Sequence, residues 1–289
     1  MRNNEERFGA ENPDSFPTPA AETETNPTTE GSQQQMFQFV TPTEFVDLPS
    51  KGVFYPESHP LHNKDVVEIR HMTAKDEDIL TSKSLLKKGV ALDRFINNIL
   101  IDKKVKADNL YVGDKNAIIV AARISGYGRE YKTRIQCPIC TNPSNYAFDL
   151  EESNINFVDP KSSDHKHTEE DKFVIHLPKM DVDVTVRLLT GQDERRLAAT
   201  TERAKKQNLP ESTMTSQFRL FVVAVNGSTD KKHLGSLIDN MPASDSRYLR
   251  EEYKKLTPNL DLTQDFTCTY CSHEEKMEVP FTADFFWPK

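Results

Sequence analysis

Two Cys-x-x-Cys pairs constrain this chain more than any other feature of its sequence. The chain has four cysteines, and all of them lie in these pairs: Cys137, Cys140, Cys268 and Cys271. Strand-forming residues flank each pair, and a Cys-x-x-Cys turn between two strands is a zinc knuckle, in which two thiolates reach one ion. Two facing knuckles form a zinc ribbon. We therefore predict that the four thiolates share one structural Zn²⁺ ion, although the pairs are separated by far more than the ~15–20 residues of a local zinc motif.

Three other uses of the cysteine pairs stay open at this point. Each pair could bind its own ion with a histidine, and His273 lies close to Cys271, whereas no histidine lies comparably near Cys140. A thioredoxin-like redox pair should open a helix after a strand, but here strands follow. The third alternative is a set of buried free thiols. Four thiolates on one ion leave no open coordination position, so the shared site predicts a structural ion and not a catalytic one.

The sequence before each cysteine pair follows one pattern twice. Residues 67–77 (VEIRHMTAKDE) align with residues 184–194 (VTVRLLTGQDE). In both segments a strand ends in Thr, which is a good helix N-cap, and Asp-Glu follows in the first helical turn, where carboxylates favour the helix dipole. Further helices and a strand–knuckle–strand segment come next in both. We predict an α+β fold of two diverged tandem repeats, joined by the shared four-cysteine, zinc-ribbon-like site.

Composition sets the predicted boundaries along the chain. Residues 1–35 are rich in Asn, Glu, Pro, Thr and Gln, with almost no aliphatic side chains, so they should form a disordered tail. Residues 36–151 form the first α+β repeat, which begins with an extended loop. Residues 152–171 form a polar linker. Residues 172–289 form the second repeat, which ends in an aromatic tail.

Charge and motif content argue against several classes of function. The formal net charge is −8, so we expect no broad basic face, and nucleic acid is a poor partner. No apolar run approaches the ~18–20 residues that span a bilayer, and no signal peptide is evident, so we expect a cytoplasmic protein with no membrane partner. The sequence contains no Walker loop, no Gly-x-Ser-x-Gly elbow and no His-Glu-x-x-His motif. We predict that the protein is not an enzyme.

Two aromatic segments are candidates for binding other proteins, because aromatic side chains dominate protein–protein interfaces. The first is the Pro/Gly-rich loop at residues 47–56, which contains Phe54 and Tyr55. We expect this loop to be fixed and extended, packed on the body or onto a neighbouring subunit. The second is the C-terminal tail, and its aromatic residues are Phe281, Phe285, Phe286 and Trp287. For this tail, packing on the chain's own body is an equal alternative to docking into a partner.

Three segments also carry a family resemblance. They are DLPSKGVFYP at residues 47–56, MTAKDEDIL at residues 72–80 and ADFFWP at residues 283–288. Together they resemble the baseplate hub subunit family of T4-type myophages, especially its marine and cyanophage members, and the resemblance runs from about Phe37 onward. It implies a non-enzymatic structural or assembly protein of the contractile tail. Its partners would be other baseplate hub or tail proteins, and it would act in the host cytoplasm during assembly, with retention in the virion left open.

Two alternative functions remain at this stage. The Thr-x-x-Asp-Glu pattern at both repeats is similar to small tail assembly chaperones, which escort the tape measure protein and are absent from the finished particle. The second alternative is a nucleic-acid-binding module, since zinc ribbons often have that role. The acidic net charge argues against the second alternative.

Overall fold

The computed structural model describes residues 40–159, 166–169, 171–207, 213–280 and 283–286. The predicted disordered tail, residues 1–35, lies outside these ranges. The chain from Thr41 onward forms one unit, and its buried apolar side chains form one continuous core.

The first half of this body contains a hairpin, a set of helices and a second hairpin. These elements are β1 (Thr43–Asp47), β2 (Val66–Arg70), α1 (Ala74–Thr81), α2 (Lys83–Lys87), α3 (Ala91–Ile99), α4 (Val112–Tyr127), β3 (Glu130–Gln136) and β4 (Pro143–Asp149). Helix α3 forms because Phe95, Ile96 and Ile99 recur on one helical face, and all three are buried. Helix α4 ends at Gly128, which adopts a φ of 82°.

The second half follows a similar order of elements. They are β5 (Asn154–Asn156), β6 (Lys166–Glu169), β7 (Lys172–Leu177), β8 (Val182–Arg187), α5 (Gly191–Lys206), α6 (Thr213–Phe221), β9 (Val222–Val225), α7 (Lys231–Asn240), α8 (Ala243–Leu256), β10 (Asn259–Asp261), β11 (Thr263–Thr267) and β12 (Glu274–Glu278). A short 3-10 turn, Ala283–Phe286, is the last described element. Strand β7 alternates buried Phe173, Ile175 and Leu177 with more exposed residues, as a strand with one face in the core requires.

The described sheets are small and antiparallel. Strands β6, β7, β8 and β9 form a four-stranded sheet in that order, and the pairs β1–β2, β3–β4, β11–β12 and β5–β10 form two-stranded sheets. The predicted α+β class is therefore confirmed. The segment predicted as a polar linker contains β5 and β6, and β5 pairs with β10 near the end of the second half. Among the described helices, none has the length and apolar character to cross a membrane.

Helices α1 and α5 begin with the same set of contacts. At α1, the Arg70 guanidinium donates to both carboxylate oxygens of Asp76 at 2.7 and 2.9 Å, and Thr73 donates to Asp76 from its backbone N–H and its hydroxyl. Burial raises the pKa of Asp76, but these donors outweigh burial and leave that pKa below its ordinary value. At α5, the corresponding residues are Arg187, Thr190 and Asp193.

Close backbone contacts join the two halves. A Cβ atom at Gly113, in the first turn of α4, would overlap the carbonyl oxygen of Pro258, so only glycine allows α4 to approach this segment. The buried Lys115 ammonium lies 2.9 Å from Asp93 of the first half and 2.9 Å from Glu194 of the second. The two halves are therefore joined by close backbone contact and by the Lys115 ammonium group, which pairs with a carboxylate from each half.

Candidate functional site

The first cysteine pair lies in the turn between β3 and β4. The ladder of this hairpin runs up to the pair Gln136 and Pro143. The backbone N–H of Cys137 donates to the carbonyl of Asn142 at 3.1 Å, and the N–H of Thr141 donates back to the carbonyl of Cys137 at 3.0 Å. Thr141 has a φ of 56°, which turns the chain back toward β4. This turn directs Cys137 and Cys140 toward one point.

The second pair lies in an equivalent turn between β11 and β12. The N–H of Cys268 donates to the carbonyl of His273 at 2.8 Å, and the N–H of Ser272 donates to the carbonyl of Cys268 at 3.0 Å. Ser272 has a φ of 55°, close to that of Thr141 in the first turn. The N–H of Tyr270 also points at the Cys268 sulfur, at 3.4 Å. The two Cys-x-x-Cys turns therefore have the same backbone hydrogen bonds and a left-handed residue at the same position, after the second cysteine.

The four sulfur atoms meet at one place. The Cys137 and Cys271 Sγ atoms lie 3.7 Å apart, as do those of Cys140 and Cys268, and all four ligand atoms lie within 4.8 Å of one another. Four thiolates at about 2.3 Å from a tetrahedral zinc ion have sulfur–sulfur edges of about 3.8 Å. A disulfide would need about 2.05 Å. The predicted convergence of the four cysteines is confirmed, and their spacing fits a tetrahedral metal ion.

The pKa values of two thiols in this cluster shift in opposite directions. Backbone N–H groups of Cys271 and Tyr270 stabilise the Cys268 thiolate and lower its pKa to about 6. The backbone at His273 lowers the pKa of Cys271, but desolvation and the neighbouring sulfurs outweigh it and raise that pKa to about 12. Four thiolates cannot share this small volume without a cation, because like charges repel. A divalent ion bound here would supply that positive charge.

Contacts between the two hairpins support the cluster from the inner side. The Tyr146 hydroxyl of β4 donates to the Asp265 carbonyl of β11 at 2.6 Å, and the Tyr146 ring packs edge-on against Phe266 at 5.3 Å. The Gln264 side chain bonds both backbone groups of Asp149, so it acts like one residue of an adjoining strand. The Cys137 and Cys268 thiols are buried, whereas Cys271 is exposed. The cluster therefore lies at the outer end of two packed hairpins.

The separate-ion alternative has no structural support in the described residues. The His273 ring lies beside Glu275, with its Nε2 atom 3.4 Å from the carboxylate. The metal-competent group found there consists of the four cysteines without a histidine. A shared site is the arrangement that this geometry favours.

The loop aromatics predicted to contact partners lie in the interior. Phe54 is 0% exposed and Tyr55 is 1% exposed, so neither presents its ring at the surface of this chain. The Phe54 ring packs 5.8 Å from Phe173 of β7, which joins the loop to the second half. The expected exposure is therefore corrected, because the rings fill the core where the loop crosses it.

A buried polar network, which the sequence did not reveal, fastens this loop to α4. Asp114 accepts hydrogen bonds from the Ser50 N–H at 2.9 Å, the Ser50 hydroxyl at 2.6 Å and the Tyr55 hydroxyl at 2.7 Å. The Tyr55 hydroxyl also accepts a bond from the Tyr111 N–H at 3.0 Å. Burial raises the pKa of both Asp114 and Tyr55, while the Ser50 donors partly offset this effect on Asp114. The position of Asp114 in the first turn of a helix was the available signal, but it indicates only a helix start.

The C-terminal aromatics pack on the body as well. Phe285 packs edge-on against Tyr131 at 5.0 Å, and Phe286 against Phe95 at 5.3 Å. The fully buried Arg123 donates from Nε to the Phe285 carbonyl at 2.7 Å. Phe285 and Phe286 thus follow the self-packing alternative, in which the tail closes over the first half.

Two further tail residues of the predicted partner set, Phe281 and Trp287, lie outside the described residues. Arg123 was not anticipated, since a lone arginine in an apolar helix gives no sign of the carbonyl groups it will meet.

Comparison with known proteins adds evidence of a different kind. A family model described as T4 bacteriophage base plate protein matches residues 43–287. The match runs from β1 to the C-terminal 3-10 turn and includes both cysteine pairs. No curated protein and no solved structure gives a significant match.

Proposed function

Because the chain belongs to the T4 bacteriophage base plate protein family, we propose that it acts in the central hub of the baseplate of a contractile phage tail. Family membership makes it a phage baseplate structural protein. The hub role is more specific than the family match. It is supported by the resemblance to hub subunits of the loop at residues 47–56 and of the ending at residues 283–288. The family match across both halves is the observation that carries the proposal.

Its mode of action is binding to other baseplate or tail proteins, without catalysis. A structural family supports this view. The cysteine cluster supports it too, because four thiolates on one ion leave no coordination position for a substrate. The net charge of −8 disfavours nucleic acid as the partner.

We infer that the body arose by tandem duplication. The Arg–Thr–Asp contacts at α1 and α5 support this inference, because three residues at the same spacing make the same bonds in both halves. The two knuckles support it independently, with matching backbone bonds and matching left-handed residues at Thr141 and Ser272. Duplication also accounts for the long separation of the cysteine pairs, since each half supplies one knuckle.

We infer that the cluster holds one zinc ion and that its role is to clip the halves together. Cys137 and Cys140 would bind it from the first half, and Cys268 and Cys271 from the second. An ion bound only in the folded state adds its binding free energy to the stability of the fold. The ion would thus resist separation of the β3–β4 and β11–β12 hairpins under the mechanical load of a contracting tail.

The hub proposal is tested by mass spectrometry of purified, intact phage particles and of baseplates released from them. We expect the chain in both preparations, at a ratio to other baseplate proteins that stays constant through further purification. Tail-tube proteins removed with the tube serve as the control for carry-over. Absence from intact particles, with presence in infected cells, would contradict the proposal and favour a chaperone that escorts the tape measure protein.

The zinc proposal is tested by elemental analysis of the purified full chain. We expect one zinc per chain, loss of that zinc in Cys137→Ser, and a lower melting temperature for this variant. Thr269→Ser, an exposed change within the second knuckle, is the matched control and should retain both zinc and stability. Two ions per chain would mean that each pair recruits other ligands. Folded protein without metal, purified without chelator, would refute the metal site.

A further inference from the structure

One edge of strand β1 is unpaired in the part of the chain that the structure describes. Backbone bonds from Leu48 N–H to Asp65 and from His71 N–H to Pro42 fix the register of the β1–β2 hairpin. Since hydrogen-bonded pairs alternate along an antiparallel ladder, Glu44 and Val46 bond to β2. The N–H and C=O groups of Thr43, Phe45 and Asp47 therefore point away from β2. Among the described residues, no other strand pairs with β1 on that side.

In the second half of the chain, another strand covers the corresponding edge of β7. Phe45 lies opposite Glu68 in the first half, and Val174 of β7 lies opposite Thr185 in the second. Glu68 and Thr185 are equivalent positions in the aligned segments 67–77 and 184–194. Val174 also pairs with Lys166 of β6, which covers the edge of β7. A strand edge of this shape therefore accepts another antiparallel strand.

The residues at the open edge differ from an ordinary solvated surface. Phe45 is 70% exposed, and it lies on the outer face of β1. A large apolar ring in such a position is unusual for a solvated strand, and an exposed strand edge of this kind favours pairing with another chain.

We propose that this edge is a self-association site, at which β1 pairs antiparallel with β1 of a second copy of the chain. Pairing centred on Phe45 places Phe45 opposite Phe45 of the copy and Thr43 opposite Asp47. All three outward residues then form hydrogen-bonded pairs, which gives about six backbone bonds across the interface. The result is a continuous four-stranded sheet with twofold symmetry.

The side chains of β1 are complementary in this register. The two Phe45 rings meet as a cross-strand aromatic pair, and such pairs stabilise a sheet relative to small residues at the same positions. The Thr43 hydroxyl meets the Asp47 carboxylate, so a donor faces an acceptor. On the other face Glu44 lies opposite Val46. No two like charges stand directly opposite, although β1 carries two acidic residues. A register shifted by two residues would lose the ring pair.

A second copy is the occupant that the strand itself favours, because one short sequence supplies both sides of the interface. The contact is small compared with a standard interface, so we expect reversible association on the order of micromolar affinity. This inference does not depend on the hub proposal, since it concerns the isolated chain. Within a baseplate, the same edge would join two copies directly.

The test is sedimentation equilibrium of the full chain across a concentration series, together with residue-resolved amide exchange. Wild type should pass from monomer to dimer as concentration rises. Phe45→Lys should weaken dimerisation at least tenfold, because it places two ammonium groups face to face. Leu86→Lys, at another exposed apolar residue on α2, is the matched control and should dimerise like wild type.

Amide exchange locates the interface. The N–H groups of Thr43, Phe45 and Asp47 should gain protection with concentration, whereas those of Glu44 and Val46, which already bond to β2, should not change. A chain that stays monomeric at every concentration would overturn the proposal. A dimer that survives Phe45→Lys would also overturn it. So would concentration-independent protection of the three outward amides in the monomer, since the edge would then be covered within one chain.

Discussion

Replacing Tyr55 with phenylalanine tests whether the loop at residues 47–56 is fastened inside the fold or presented to partners. The Tyr55 hydroxyl donates to Asp114 at 2.7 Å and accepts from the Tyr111 N–H at 3.0 Å. Tyr55→Phe removes one oxygen atom and leaves the ring, its tilted contact with the Tyr111 ring at 4.5 Å and the packed volume in place. Any change in stability therefore reports on the two hydrogen bonds.

The expected loss follows from the burial of both partners. A hydrogen bond to a buried carboxyl group contributes roughly 1.5–3 kcal/mol when that group is ionised, and an ordinary one about 1 kcal/mol. Removing the acceptor of a buried N–H costs a further 1–3 kcal/mol, roughly. Asp114 keeps both bonds from Ser50, which limits the damage. We expect a loss of about 2–4 kcal/mol, or a melting temperature lower by roughly 5–15 °C for a body of this size.

The assay is urea denaturation of wild type and variant, followed by fluorescence and by circular dichroism. Tyr127→Phe is the matched control, since the Tyr127 hydroxyl bonds Glu77 at 2.7 Å on an exposed surface. We expect the control to change stability by less than about 0.5 kcal/mol. If Tyr55→Phe unfolds with the wild-type midpoint but impairs particle assembly, the loop contacts a partner through Tyr55 and the interior placement does not govern its role.

Two further predictions concern the contact between the halves and the helix starts. Gly113→Ala should lower stability by about 2 kcal/mol or more, because the new methyl group overlaps the Pro258 carbonyl and backbone must move. Gly235→Ala places a methyl group 3.5 Å from an Arg219 nitrogen and should instead stabilise α7 by about 0.5–1 kcal/mol. Thermal melts of both variants and wild type measure these changes. Burial raises the pKa of Asp193, but Arg187 and Thr190 outweigh it and hold that pKa below its ordinary value. Its contribution to stability should be complete above about pH 4 and lost as pH falls through the folded-state pKa. Asp193→Asn should therefore destabilise most near neutral pH and approach wild type only as pH falls through the folded-state pKa of Asp193, and a gap in stability that does not narrow in acid would contradict the pairing.

Local sequence patterns predicted the parts of this protein that local chemistry controls. Thr73 and Thr190 were expected as helix N-caps, and both begin helices with Asp in the first turn. The strands around both Cys-x-x-Cys turns were expected, and the structure has them. Both of these features depend on side chains that act within about one turn or one hairpin of their own position. The convergence of the four cysteines was predicted from the flanking strands and from the repeated order of elements, because the two pairs lie far apart in the chain.

The misjudged residues depend on partners that are distant along the chain. Phe54 and Tyr55 were predicted to contact a partner because aromatic side chains dominate protein–protein interfaces. Their burial follows from Asp114 and Phe173, which lie far along the chain. Arg123 shows the same limit, since its Nε donates to the carbonyl of Phe285. An aromatic residue in the sequence indicates a ring that will be buried, but it does not indicate whether the same chain or a partner protein will bury it.

Residues close together in the chain predicted the two helix caps and the two knuckles, and both are present. The strands β5 and β6, within the predicted linker, were not predicted. The tertiary structure alone decided which surfaces face each other. It placed α4 against Pro258 through Gly113 and closed the C-terminal turn over Tyr131. Within the described ranges it also left one edge of β1 unpaired, while β6 covered the corresponding edge of β7. The physical reason is that packing and burial depend on distances between residues far apart in sequence, and no local propensity encodes those distances.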